Sequence, residues 1–209
     1  MSNTVVLKRH KNHKHQDRYH HGDLRRALID AGLQMLEFHG TEGLSLRRLA
    51  KALNVSQTAI YSHFKNKTEL LAALAEIGFQ QLAFQMLESI TDPADPRQRI
   101  LDLSVAYIGF ALKNRAVFRL MFGAELADMK KFPTLAMTAG KSYALFSAAV
   151  TDALKHNPDA PKRTATNALW SLVHGTAVLA VDGKLAAPDK DQLSAFVTEQ
   201  LSPLISAFS

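Results

Sequence analysis

The run Ser56-Gln57-Thr58-Ala59-Ile60-Tyr61-Ser62-His63-Phe64 sets hydroxyl, amide, phenol and imidazole groups side by side in a stretch without a charged residue. Wound as a helix at about 100° per residue, it turns Ile60 and Phe64 inward and Thr58 and Ser62 nearly opposite. Ala59 and Tyr61 fall on the flanks and Gln57 at the exposed beginning. Such a face suits the groove of a duplex. Gln and Thr hydrogen-bond base edges, Ala meets a thymine methyl, and Tyr reaches phosphate or base. The attraction must come from neighbours, and Arg47, Arg48, Lys51, Lys65 and Lys67 supply it. Lys67 stands where a new helix begins, and a helix N-terminus itself favours phosphate.

The elements that would hold these groups are short. Ser45-Leu46-Arg47-Arg48-Leu49-Ala50-Lys51-Ala52-Leu53 makes two turns with Leu46, Leu49, Ala50 and Leu53 inward. Asn54-Val55 makes a brief turn, and Ser56 caps a second short helix, Gln57–Phe64. Two short helices across a tight turn form a helix-turn-helix. Small Ala50 lets the second helix cross closely, and Val55 plugs the turn. A pair of short helices with a polar face also occurs as plain protein surface, so the charge around it matters.

That charge is lopsided. The chain of 209 residues carries a net +6, but residues 1–67 hold 12 Lys/Arg against 5 Asp/Glu, and residues 68–209 hold 13 against 14. A basic third on a near-neutral body is the electrostatic signature of a polyanion-binding module, with nucleic acid the first partner and an anionic membrane the second. Residues 1–19 mix Lys8, Arg9, Lys11, Lys14 and Arg18 with His10, His13 and His15, and little there could build a core. They read as a basic arm. The histidines at 10, 13, 15, 20 and 21 also permit transition-metal chelation, hence a metal-responsive regulator. A third reading, an architectural DNA binder without sequence preference, fits the charge but not the uncharged face of the second short helix.

Other classes are excluded by what the chain lacks. With no cysteine, disulfides, thiolate metal sites and cysteine nucleophiles are ruled out. There is no Walker loop, G-x-G-x-x-G after a strand, H-E-x-x-H or G-x-S-x-G, so no enzyme and no cofactor is expected. Met1 is followed by only Val5-Val6-Leu7 before a basic cluster, so no export signal and a cytoplasmic location are expected. The longest uncharged stretch, Thr164–Val181, is broken by Ser171, His174 and Gly175 and reads as a helix buried in protein, with no membrane association.

The whole chain reads as all-α. All seven prolines follow residue 92, and between them apolar residues recur three and four apart. Leu24, Ala27, Leu28, Ala31, Met35 and Phe38 form one stripe, stopped at Gly40. Asn66-Lys67-Thr68-Glu69 has capping-box character before a helix to about Ile90, and Asp95-Pro96 opens another. About six helices are expected beyond residue 66. The division is then an arm at 1–19, a DNA-binding unit at 20–66 and a body for ligand and dimer contacts at 67–209. Thr164–Val181 has no charged face and must be covered all round. With the last helix, Asp189–Phe208, it is expected to form a two-fold four-helix interface with a second subunit.

In the body, Trp170 and His174 share a helix face. They form either a ligand-pocket wall or a packed Trp with a hydrogen-bonded His. Phe118, Met121, Phe122, Phe132, Met137 and Phe146 give an aromatic and methionine-rich middle, which serves as core or as an adaptable cavity for an apolar small molecule. The ligand-pocket candidates are Phe118, Met121, Phe122, Phe146, Trp170 and His174.

The residues from Gly43 to Ala50, then Val55 to Phe64, then Lys67 and Leu70-Leu71, resemble the TetR family of bacterial transcriptional regulators. The leading Tyr19-His20-His21-Gly22-Asp23-Leu24-Arg25 is similar to one branch of it, as is Trp170-Ser171-Leu172-Val173-His174-Gly175. Thr58 departs from the pattern, standing where many members carry glycine or proline. The resemblance implies three DNA-binding helices on a larger helical domain. It also implies a homodimeric repressor on double-stranded DNA, at an inverted-repeat operator, released by a small-molecule effector. By position it makes Ser45, Arg47, Tyr61, His63 and Lys67 backbone contacts and Gln57, Thr58, Ala59 and Ser62 base readers, with Arg48 in the same basic helix. His63 equally suits packing beside Phe64.

Overall fold

The computed structural model describes residues 21–157, 159–186, 189 and 191–208. The arm at 1–19 lies outside the described residues, as do all the histidines of the metal-chelation reading except His21, which begins α1. All regular structure among those described is helical. In chain order the helices are α1 (His21–Gly43), α2 (Leu46–Ala52), α3 (Gln57–Tyr61), α4 (Lys67–Glu88), α5 (Pro96–Lys113), α6 (Arg115–Phe122), α7 (Pro133–Ala153), α8 (Lys162–Val181) and α9 (Leu193–Phe208). Two single-turn 3-10 segments, Ala124–Leu126 and Met129–Lys131, join α6 to α7.

In α1 the buried row is Leu24, Leu28, Gly32 and Leu36, each one turn from the last. Gly32 belongs there because a Cβ would come within 3.1 Å of Leu74 Cδ2, so its bareness lets α4 pack against α1. The expected stripe through Ala27, Ala31 and Met35 is only half-buried, and Phe38 points outward at 80% exposure. Helical geometry breaks at Gly40, whose φ of 63° is open mainly to glycine, and one further turn carries the chain to Gly43.

The two short helices are closed by their caps. Ser45 Oγ accepts from Arg48 N at 3.1 Å, and Ser56 Oγ accepts from Ala59 N at 3.1 Å. Each satisfies a backbone donor that the helix start leaves free. Between them Asn54 takes a left-handed φ of 52°, and Val55 N returns to Ala50 O at 3.0 Å. Helix α3 ends at Tyr61, three residues before the expected end. Phe64 is nonetheless buried, because its backbone N still reaches Ile60 O at 3.0 Å and carries the ring under the turn.

Helix α4 is the hub. Asn66 caps it by accepting from Glu69 N, and Glu69 returns to Lys65 N at 2.8 Å, one residue earlier than in the usual capping box. Leu70, Leu71, Leu74, Phe79, Leu82 and Met86 are buried, which ties α4 at one end to α1 and along its length to α5, α6 and α7. It is long and apolar enough to cross a bilayer, yet most of it is buried within the protein. Asp95 caps α5 through Arg97 N and Gln98 N, with Pro96 in its first turn.

Helix α8 buries Ala165, Leu169, Val173, Ala177 and Ala180, and leaves Thr164, Asn167, Ala168, Ser171 and Leu179 exposed. Helix α9 buries Leu193, Val197, Leu201 and Ile205 and exposes Ser194, Ala195, Thr198 and Ser206. Both helices therefore offer an outward face made largely of small residues. α9 starts at Leu193, four residues after the expected Asp189.

Candidate functional site

The starts of α2 and α3 converge on a cleft of about 590 Å³ lined by Ser45, Arg47, Arg48, Ala50, Lys51, Val55 and Gln57. Arg47, Arg48, Lys51 and Gln57 are exposed there. Among the described residues none of these cations, nor Lys65 or Lys67, forms an ion pair. Their charge is not neutralised by a carboxylate among the described residues and is left to draw anions. The two arginines differ. Arg48 Nη1 donates to Gly43 O at 2.7 Å, fastening α2 to the end of α1, whereas Arg47 carries no such bond.

On α3, Gln57, Thr58, Tyr61 and Ser62 are exposed and Ala59 is half-buried, while Ile60 faces the core. Ser62 Oγ donates back to Ala59 O at 2.7 Å, which leaves its oxygen to accept. Tyr61, His63 and Lys67 lie outside the cleft. His63 is half-buried, with Nε2 enclosed and unpaired. Lys67 is half-buried in the first turn of α4. Arg25 lies over the Phe64 ring at 5.0 Å, adding a cation on the α1 side of the same unit.

In the body, the expected pocket residues converge on a packed aromatic cluster. Phe118, Met121 and Phe146 are fully buried, Trp170 and His174 are half-buried, and Phe122 is 38% exposed. The Phe122 and His174 rings are 4.6 Å apart, Phe118 and Phe122 5.0 Å, and Phe146 and Trp170 5.6 Å. The clefts of several hundred cubic ångströms open elsewhere, including one of about 410 Å³ between α1 and α6. Met137 is 64% exposed, and Phe132 makes no ring contact with the cluster among the described residues.

Sequence reasoning missed the centre of this cluster. Tyr107 of α5 is fully buried, with Trp170 edge-on at 5.1 Å and Phe118 at 5.8 Å. Its phenol lies 2.8 Å from His174 Nδ1. Burial pushes the Tyr107 pKa far up and pulls that of His174 down, so both are neutral near pH 7. Phe79 of α4 meets Phe122 at 5.3 Å. Neither residue sits in a motif; the one signal in the chain was their place on apolar faces of long helices.

Two polar contacts tie the body together and to the end of α1. Thr41 Oγ1, just after the Gly40 break, donates to Glu125 Oε1 at 2.9 Å. Arg119 of α6 donates through Nη2 to Val181 O at 2.8 Å and meets Asp182 Oδ1 at 3.2 Å, gripping the end of α8.

Comparison with known proteins matches residues 28–74 to the family described as bacterial regulatory proteins, tetR family. Residues 100–202 match the tetracyclin repressor-like C-terminal domain. The chain is 29% identical over 161 residues to the uncharacterized HTH-type transcriptional regulator YobS of Bacillus subtilis (strain 168), covering 76% of this chain and 79% of that one. It is 56% identical over 52 residues to the class C tetracycline repressor protein of Escherichia coli, a match spanning only 24% of that repressor. Among solved structures, a protein of unknown function from Rhodococcus sp. RHA1 superposes with a TM-score of 0.78 at 31% identity, over 92% of this chain and 99% of that one.

Proposed function

The chain belongs to the TetR family of transcriptional regulators, and from that premise we propose that it is a homodimeric repressor of an inverted-repeat operator, released by a small molecule. It works in the cytoplasm by occupancy rather than catalysis: a dimer seated over a promoter excludes polymerase. Residues 20–66 are the reading unit and 67–209 the body. Arg47, Arg48 and Lys67, with Ser45, Tyr61 and His63, hold phosphates, and Gln57, Thr58, Ala59 and Ser62 meet base edges. The exposed, small-residue faces of α8 and α9 pair with their copies, and the effector enters at the aromatic cluster.

One observation carries this reading: an uncharged, exposed α3 face stands beside a cleft lined by unpaired cations. The cations supply affinity for any duplex, and the polar face supplies discrimination between sequences. An architectural binder would line that face with Lys and Arg instead. Selection of bound sequences from a random duplex library, with full-length protein at moderate salt, tests the proposal. An enriched inverted repeat is expected, with half-sites one helical turn or a multiple apart. Binding without enrichment would transfer the protein to the architectural class.

A further inference from the structure

Tyr107 and His174 together fix where a proton sits. Tyr107 is fully buried, and the rings of Phe118, Phe122 and Trp170 pack against its ring. The sole polar partner of its phenol among the described residues is His174 Nδ1, at 2.8 Å. A buried O–H left without an acceptor is costly, so Tyr107 donates and Nδ1 accepts. A neutral imidazole that accepts at Nδ1 carries its hydrogen on Nε2. Among the described residues that Nε2 has no hydrogen-bond partner, and it is not among the enclosed unpaired atoms, unlike the Nε2 of His63. The buried phenol thus holds a half-buried imidazole as an outward donor that no described residue accepts from, open to water or to a ligand.

What packs on the imidazole ring is apolar and partly open. Phe122 is the nearest ring, at 4.6 Å, and is 38% exposed at the end of α6. The nearby cation of α6, Arg119, is spent on Val181 O and Asp182. Among the described residues no cation makes a ring contact with this cluster, so an anion gains no counter-charge from it, and burial pulls His174 toward its neutral form.

We propose that His174, locked by Tyr107 as the Nε2–H tautomer, is the donor that recognises an uncharged carbonyl oxygen (of a ketone, ester or lactone) on an effector whose apolar body displaces Phe122. This deepens the reading of the chain as an effector-released repressor and rests on it. Tyr107 is the positioning residue and His174 the recognition residue. The site has a short mechanical connection to the DNA-binding unit. Phe122 is followed by Gly123, where a Cβ would meet Glu125 Oε2 at 2.6 Å and Arg119 O at 2.7 Å, so the chain is tightly folded at that point. Glu125 holds Thr41 at 2.9 Å. Movement of Phe122 is therefore passed to the end of α1 through Glu125, three residues on.

The test is nitrogen NMR of histidine-labelled full-length protein without DNA, with methyl octanoate, octanoate and octylamine as probes. His174 is expected to carry its proton on Nε2, and Tyr107→Phe to move it toward a tautomer mixture. Methyl octanoate is expected to perturb the Nε2 signal, and the two charged probes to do so at least about tenfold more weakly, because each must give up the hydration of its charge without a counter-charge. His174→Gln, which can accept from Tyr107 and still donate, retains methyl octanoate binding, whereas His174→Phe loses about tenfold. A proton on Nδ1, equal binding of octanoate, or no perturbation by methyl octanoate overturns the proposal. Because these readouts need no DNA, an enriched operator alongside any of them leaves the repressor reading intact. A library without enrichment beside a carbonyl-responsive His174 overturns the repressor reading and, with it, the effector role given to this site.

Discussion

Replacing Arg47 with alanine isolates one phosphate contact per subunit. Its side chain is exposed and, among the described residues, free of ion pairs, so its loss removes charge without disturbing packing. Each phosphate neutralised by a cation steepens the fall of log K with log salt by about 0.9, so a dimer losing two contacts should have a slope shallower by about 1.8. Between about 50 and about 200 mM salt the wild type should then lose roughly twelvefold more affinity than the variant. Fluorescence anisotropy on the selected duplex, repeated across that salt range, measures both slopes. Arg48→Ala is the control. Its guanidinium also holds Gly43 O, so it should lower Tm, while Arg47→Ala leaves Tm where it was. An Arg47→Ala slope equal to that of wild type would refute the assignment of this cleft to phosphate.

Removing the cap of α3 by Ser56→Ala should cost about 1 kcal/mol of stability, read as a lower denaturant midpoint, because a helix from Gln57 to Tyr61 has few other bonds to hold it. DNA affinity should fall with it, and an unchanged midpoint would mean that α3 is held by packing alone. Ala168→Glu places a charge on the outward face of α8. It should convert a dimer to a monomer in light scattering at micromolar protein and weaken operator binding, and a dimer that persists would place the subunit interface elsewhere.

The helix-turn-helix was legible because its signals are local. Ser45 and Ser56 sit where caps belong, Leu46, Leu49 and Ile60 recur at helical spacing, and all of them act within a few residues of themselves. Asp95-Pro96 and Asn66 were legible for the same reason. The misreadings came from contacts between distant segments. A count of apolar residues passes over Gly32, whose value lies in the Leu74 side chain it admits from another helix. Omitting it shifted the α1 stripe by a fraction of a turn and carried Phe38 to the wrong side. The aromatic middle of the body was visible as composition, but its hydrogen bond joins residues 67 positions apart, and no spacing rule brings Tyr107 to His174.

Arg119 has a geometric consequence for the operator. By gripping Val181 O and Asp182 it fixes the end of α8 to α6, and α6 lies against α1 of the reading unit. In the proposed dimer α8 is also the hinge plate between subunits, so the two reading heads are held like the points of a calliper whose opening is set in the body. The letters of each half-site are then a property of α3, and the number of base pairs between half-sites a property of the α6–α8 clasp. Loosening the clasp widens the range of spacings a dimer accepts while leaving the half-site unchanged.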